Sequence, residues 1–200
     1  MYKKAIHIGI FMAVFATWAF ADGILLYPPP KTGAPAQRIG GGTRTLGAAV
    51  QQLQVLAPQH TALTAQAQPV LYWYLAETNE QAVEISLIQQ NSEQSLLRKQ
   101  LPAGLKVGLQ KIRLADESVS LQAGEDYQWS VALVGPNGLS RNGLVKAALR
   151  YESPNTDLTS IEQKAAAGYW YDVLQSLIEQ NSPLANDLLA QIGLHLPNLQ

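Results

Sequence analysis

Hydrophobic and polar residues follow the two-residue period of β-strands through the middle of the chain. The strand patterns cover residues 70–75, 83–87, 96–101, 105–114, 127–133 and 143–151. The first of them is apolar or aromatic at every position, which predicts a central strand covered on both faces. Asn137-Gly138 predicts a tight hairpin turn between the last two. Together these strands predict an antiparallel β-sandwich over residues 69–152.

One local motif narrows the type of sandwich. Residues 121–127 (LQAGEDY) resemble the tyrosine corner of immunoglobulin-like and fibronectin-type sandwiches. In that interpretation Leu121 fills the core, Gly124 permits the turn, and the Tyr127 hydroxyl bonds back to the backbone a few residues upstream. The alternative is an ordinary glycine turn before a strand.

The apolar period changes to that of helices in residues 157–194. Thr159 and Glu162 fit a capping box, Trp170 begins an apolar stripe, and Gly168 and Gly193 are candidate helix ends. This predicts a C-terminal helical cap, and therefore an α+β fold. Residues 168–174 also suit half of a tetratricopeptide repeat, but no second copy follows.

Residues 22–68 carry weak signals for regular structure. Pro28–Pro30 and Gly40–Gly42 predict an extended, Pro/Gly-rich segment. Leu46, Val50, Leu53 and Leu56 have a spacing that predicts one short helix or turn.

The first 21 residues have the features of a secretory signal. Lys3 and Lys4 precede an uncharged run from Ala5 to Phe20, and Ala19-Phe20-Ala21 suits signal peptidase. The sequence therefore predicts a periplasmic or secreted protein that is cleaved after Ala21. The alternative is an uncleaved membrane anchor.

Charge and cysteine content exclude several classes of function. Loss of Lys3 and Lys4 takes the Lys and Arg count from 14 to 12 against 15 Asp and Glu, a net charge of about −3. That balance argues against nucleic acid and anionic lipid as partners. The chain has no cysteine, which excludes zinc–thiolate sites and thiol catalysis.

Six segments in order along the chain resemble the bacterial family called domain of unknown function 928. They are residues 38–44, 56–58, 69–74, 121–129, 168–172 and 188–194. The family pattern usually has alanine after Trp-Tyr-Asp, where this chain has Val173. The resemblance implies an exported protein but no reaction, so no catalytic residue is carried over.

The sharpest candidate binding site is a glycine-rich loop between two arginines. Its residues are Arg38, Gly40, Gly41, Gly42 and Arg44. Consecutive glycine amides can hold an anion, although the loop lacks the remaining features of a phosphate loop. The alternative is structural: the loop passes tightly against the domain and an arginine pairs with Asp172. Asp172 itself is predicted to be partly buried and hydrogen-bonded, because it lies on a packed helix.

Other chemistry-bearing residues have ordinary interpretations. His60 and His195 are expected to be solvated surface residues, since neither has a supporting motif. The acids Asp116-Glu117 and Glu125-Asp126 are interpreted as solvated turns rather than as a hydrolase pair or a calcium site. Seven aromatic residues are expected to pack in the core rather than to stack on a glycan. They are Tyr72, Trp73, Tyr74, Trp129, Tyr169, Trp170 and Tyr171.

These patterns predict an exported, non-enzymatic envelope or secreted protein that binds another protein. No cofactor, metal or nucleic acid is expected. The alternatives are a glycan- or small-anion-binding module, and a hydrolase with its site near the glycine-rich loop.

Overall fold

The computed structural model describes residues 25–28, 52–90, 92, 95–135, 141–154, 157–197 and 199. The strands are β1 (Leu53–Val55), β2 (Ala62–Thr64), β3 (Val70–Leu75), β4 (Ala82–Gln89), β5 (Ser95–Leu101), β6 (Gly108–Arg113), β7 (Asp126–Val134) and β8 (Arg141–Tyr151). The helices are α1 (Ile161–Ala166), α2 (Trp170–Glu179) and α3 (Leu184–Gln191). The strands hold more residues than the helices in this mixed α and β structure.

The strands form two sheets, compatible with a β-sandwich. Their orders are β1-β3-β6 and β2-β8-β7-β4-β5. Neighbouring strands run antiparallel except β2 and β8, which are parallel with Ala62 opposite Leu149. The strictly antiparallel arrangement predicted from the sequence is therefore wrong at this pair. At three residues, β2 is too short to give a recognisable strand pattern.

The predicted central strand, β3, is confirmed. All six of its residues are buried. Successive side chains point to opposite faces, so Trp73 lies on one face and Tyr72 and Tyr74 lie on the other. The Tyr74 hydroxyl donates to the Pro197 carbonyl at 2.8 Å, which places the C-terminal segment against that second face. As the middle strand of its sheet, β3 is enclosed on every side.

The hydrogen bond expected of Tyr127 is present at the start of β7. Its hydroxyl accepts the Gln122 N–H at 2.7 Å. Gly124 has φ +84°, which only a residue without a Cβ adopts easily, and Leu121 is buried as predicted. The bond ties the loop before β7 to the strand itself.

The first helix has its cap one residue later than predicted. Ser160 is the N-cap: its side chain accepts the Gln163 N–H and the Gln163 side chain accepts the Ser160 N–H, each at 3.2 Å. Thr159 and Glu162 have the same spacing as this pair, so spacing alone could not separate the two registers. The helix ends before Gly168, which has φ +88°.

The helix or turn predicted for residues 46–56 is wrong in its final part. Leu53–Val55 is β1, which pairs antiparallel with Leu75–Trp73 of β3. Leu53 and Val55 are buried and Gln54 is half-buried, which is the alternation of a strand. Residues 46–51, the signal segment 1–21 and the turn at 136–138 lie outside the described residues. No helix in the described part of the chain has both the length and the apolar content needed to cross a membrane.

Candidate functional site

The outer edge of β2 is covered by the turn between α1 and α2 and by the first turn of α2. The Leu63 N–H donates to the Gly168 carbonyl at 3.1 Å, and the Ala65 N–H donates to Asp172 Oδ2 at 2.9 Å. Residues 63 and 65 are two apart, so in an extended chain their N–H groups face the same way. A carbonyl and a carboxylate thus take the place of a neighbouring strand. We call this the covered edge.

Asp172 is buried at the covered edge, with only 3% of its surface exposed. Its Oδ1 accepts the Gln66 side-chain N–H at 3.2 Å, and the same Gln66 nitrogen also reaches Gln175 Oε1 at 3.2 Å. The carboxylate lies in the first turn of α2, where the helix dipole favours a negative charge. The prediction that Asp172 is buried and hydrogen-bonded is confirmed.

The other residues of the predicted site lie outside the described part of the chain. They are Arg38, Gly40, Gly41, Gly42 and Arg44. The proposed pairing of Asp172 with one of these arginines therefore stays a prediction. The partners that the structure describes for the Asp172 carboxylate are Ala65 and Gln66.

His60 is half-buried beside the covered edge, so the expectation of a solvated surface histidine is wrong. Its ring stacks on Tyr27, with centroids 5.8 Å apart and an interplanar angle of 9°. The Tyr27 hydroxyl lies 3.1 Å from His60 Nε2 and 3.3 Å from the Gly168 carbonyl, and Trp170 packs edge-on against the same tyrosine. Burial lowers the pKa of His60 and raises that of Tyr27. Sequence reasoning missed the contact because 33 residues separate the pair.

The N-terminal residues 25–28 are held on α3 by one side chain. Gln191 Oε1 accepts the Tyr27 N–H at 2.9 Å, and its Nε2 donates to the Leu25 carbonyl at 2.6 Å. Leu25 and Tyr27 are buried while Leu26 between them is 67% exposed, the alternation of an extended segment. A cleft of about 260 Å³ opens beside Tyr27, His60 and Gln191.

The aromatic residues considered for glycan stacking are all buried, and core packing is confirmed for all seven.

Three of the buried polar groups near the covered edge form a chain of hydrogen bonds. The Trp129 indole N–H donates to the Tyr171 hydroxyl at 3.0 Å, and that hydroxyl donates to the Ala148 carbonyl at 3.1 Å. Burial raises the pKa of Tyr171, so it stays neutral and keeps its proton for donation.

At the far end of the five-stranded sheet, β5 is an edge strand, and β6 is an edge strand of the other sheet. A cleft of about 220 Å³ lies between them. Ile85 and Leu101 from one sheet and Ile112 from the other line it, so the cleft opens between the two sheets. We call β5, β6 and this cleft the open side.

Lys99 of β5 points into the open side. It lies opposite Ile85 in the register between β4 and β5, and Ile85 is completely buried on the inner face. Cross-strand partners share a face, so the Lys99 side chain also points inward. There it forms an ion pair with Glu117, across the mouth of the cleft.

The open side is rich in basic residues that the sequence reasoning did not single out. The basic residues between 94 and 115 are Arg98, Lys99, Lys106, Lys111 and Arg113, and that stretch contains no Asp or Glu. Arg98 pairs with Glu84 at 3.0 Å and Arg113 with Glu179 at 3.3 Å. Lys106 and Lys111 are exposed and have no ion-pair partner among the described residues. A window count of charge along the sequence would have found this stretch.

The acids considered for hydrolysis or calcium binding do not assemble into one site. Glu117 pairs with Lys99, Glu125 accepts the Gln89 side chain at 3.0 Å, and Asp126 lies 3.4 Å from Arg150. Within the described residues no group of three or more His, Asp or Glu side chains is placed to hold a metal ion.

The profile of the family described as Domain of Unknown Function (DUF928) matches residues 39–195. The chain belongs to this family. The matched stretch includes every strand and helix of the structure, and hence both the covered edge and the open side of this DUF928 protein. Residues 25–28 lie before it.

No curated protein matches the DUF928 chain. Among solved structures, an engineered protein has a TM-score of 0.33 at 13% identity, over 50% of this chain and 19% of the other. The fusolin of Wiseana spp entomopoxvirus spindles has a TM-score of 0.32 at 8% identity, over 62% of this chain and 59% of the other. The chain thus spans less than two thirds of either protein, and similarities at these TM-scores carry no argument about fold or function.

Proposed function

We propose that this DUF928 protein is an exported, non-enzymatic binding module of the envelope or of the secreted fraction, and that it binds another protein through the open side. The observation that carries the proposal is the pair of edge strands, β5 and β6, that flank the cleft. The outward backbone N–H and C=O groups of β5 hydrogen-bond to no described residue outside that strand. Such a row can accept an extended segment of a partner.

The proposal includes an immunoglobulin-like topology with a C-terminal helical cap. Strands β3 to β8 would correspond to B, C, C′, E, F and G, so that the two sheets hold the strands A-B-E and A′-G-F-C-C′. The Tyr127 hydrogen bond at the start of the F-equivalent strand supports this assignment. The contacts of α2 with β2 support the cap.

Export is supported by the sequence of the first 21 residues. N-terminal sequencing of the protein from its native cells should read Asp-Gly-Ile-Leu, the residues that follow Ala21. A product that still begins at Met1 and remains in the membrane fraction would contradict export by cleavage.

Position-specific crosslinking tests the binding face. A photo-crosslinking amino acid is placed at Gln100 on β5 or at Lys111 on β6, with Glu162 on α1 and Asp187 on α3 as controls. All four positions are exposed, so the replacements should not disturb the core. We expect the same adduct from positions 100 and 111, and none from the two helical positions. An adduct only from the helical positions, or none from any, would contradict the proposal.

A further inference from the structure

The open side combines a sheet edge that no described residue covers with a local excess of positive charge. The chain as a whole carries a formal charge of −1, yet residues 94–115 contribute five basic side chains and no acid. Three of the five are matched by acids from elsewhere in the chain, namely Glu84, Glu117 and Glu179. Lys106 and Lys111 form no ion pair with a described residue, although Asp116 lines the cleft together with Lys111, so the positive excess of the open side is small.

The three basic side chains that form ion pairs remain partly exposed, so a binding partner can still contact them. The Arg98 side chain is 62% exposed, and those of Lys99 and Arg113 are each 40% exposed. Only the pair of Arg113 and Glu179 is exposed on both sides, so it can exchange one carboxylate for another at small cost. Glu84 and Glu117 are largely buried, so Arg98 and Lys99 would keep these acids and meet a partner with their remaining N–H donors.

We infer that the open side takes an extended, acidic segment of another protein as an added strand along β5, an inference that rests on the proposed function. Backbone hydrogen bonds to β5 would supply affinity without selecting sequence. Alternate side chains of the added strand would enter the cleft, which Lys99 and Lys111 line as well as apolar residues. The remaining side chains would lie on the outer face of the five-stranded sheet, beside Arg98.

The same charges argue against a second copy of this chain as the source of the strand added to β5. Two copies joined at β5 would bring two basic edges together, and like charges that face each other across a strand pair are destabilising. Inward-pointing and edge lysines are a recognised protection of sheet edges against self-pairing. An acidic segment would be attracted to the basic side chains of the open side, whereas a second copy would be repelled by them. The same residues would therefore oppose self-association and favour the partner.

Short peptides test the inference directly. The probe is an eight-residue peptide that alternates valine with glutamate, carries a fluorophore, and is titrated with the mature chain by anisotropy. One control peptide replaces glutamate with lysine. A second control keeps the glutamates but is N-methylated at alternate residues, which removes the backbone donors on one edge. We expect binding of the glutamate peptide alone, and weaker binding as salt is raised.

Matched charge reversals locate the site. The double variant Lys106→Glu/Lys111→Glu should weaken binding of the glutamate peptide about ten-fold, since two exposed attractions become repulsions. The control Lys146→Glu/Lys164→Glu changes the net charge equally on β8 and α1 and should stay within about two-fold. Circular dichroism of both variants should match that of the wild type.

Equal binding of the lysine peptide, equal binding of the N-methylated peptide, or no binding at millimolar peptide would overturn the inference. A self-adduct from position 100 would also overturn it, by making the occupant a second copy. A crosslinked partner that contains no acidic extended segment at the adduct would overturn the inference and leave the proposed function standing. Absence of any adduct at positions 100 and 111 would remove the proposed function as well.

Discussion

β2 and β5 lie at opposite ends of the same five-stranded sheet, and their outer edges are satisfied differently. At β2, the Gly168 carbonyl and the Asp172 carboxylate accept consecutive outward N–H groups. At β5, no described residue accepts them, and the neighbouring side chains are basic. The buried aromatic contacts of α2 belong to the first edge and the cleft belongs to the second. The difference shows that one edge of the sheet is completed within the chain, whereas no described residue covers the other edge.

Removal of the carboxylate at the covered edge should have the largest effect on stability. In Asp172→Ala the Ala65 N–H and the Gln66 amide lose a charged acceptor, and we expect a loss of about 2–3 kcal/mol in the free energy of unfolding. Urea denaturation would measure it. Asp172→Asn keeps an oxygen acceptor and should lose less.

Asp187→Ala, at an exposed position of α3, is the matched control for that comparison and should leave the denaturation midpoint unchanged. An Asp172→Ala protein as stable as the wild type would mean that the carboxylate does not complete the edge of β2.

Tyr127→Phe should destabilise the sandwich without affecting either edge. The Gln122 N–H loses its partner, at a cost of about 1 kcal/mol. Binding of an acidic peptide to the folded variant should stay at the wild-type level. A lower affinity at temperatures where the variant is fully folded would show that binding at the open side depends on the Tyr127 hydrogen bond, contrary to this expectation.

Replacement of the inward-pointing charge of the open side should change association more than stability. Lys99→Val leaves Glu117, which is 17% exposed, without its ion-pair partner, and we expect this to cost about 1 kcal/mol in the free energy of unfolding. The variant also makes the β5 edge apolar, so we expect concentration-dependent self-association by light scattering. Lys146→Val, on the inner strand β8, should remain monodisperse under the same conditions. Monodisperse Lys99→Val protein would show that Lys99 does not protect the edge.

Acid should slightly lower the free energy of unfolding through protonation of His60, beside the covered edge. Burial lowers the pKa of His60 in the folded state below the ordinary value of about 6.5, so the unfolded state binds the proton more readily. The free energy of unfolding should therefore fall as the pH drops through about 6.5, and level off below the folded pKa. His60→Gln should remove this part of the pH profile, whereas exposed His195→Gln should retain it. An identical profile in both variants would exclude His60 as its source.

The strands with long regular patterns could be predicted from the sequence, and the contacts that complete the edges could not. The alternation of β4 and β7 and the uninterrupted apolar run of β3 identified the sheets, because burial acts on every residue of a long strand. β1 and β2 have three residues each, too few for a period to be distinguished from that of a helix.

The candidate site was predicted in part. The position of Asp172 on a packed helix, between Tyr171 and Val173, indicated burial. Its partners Ala65 and Gln66 are more than 100 residues away in sequence. The contact of Tyr27 with His60 is likewise long-range. The basic stretch of residues 94–115 was readable from the sequence, and it was missed because the overall charge balance conceals a local excess.

Residue-resolved hydrogen exchange by NMR, with and without the glutamate peptide, tests the difference between the two edges most directly. In the free protein the amides of Leu63 and Ala65 should exchange slowly, while the β5 amides that do not pair with β4 exchange fast. Peptide binding should protect those β5 amides and leave residues 62–65 unchanged. Slow exchange along both edges of β5 in the free protein, or protection gained at β2 instead of β5, would contradict a covered edge at β2 and an open one at β5.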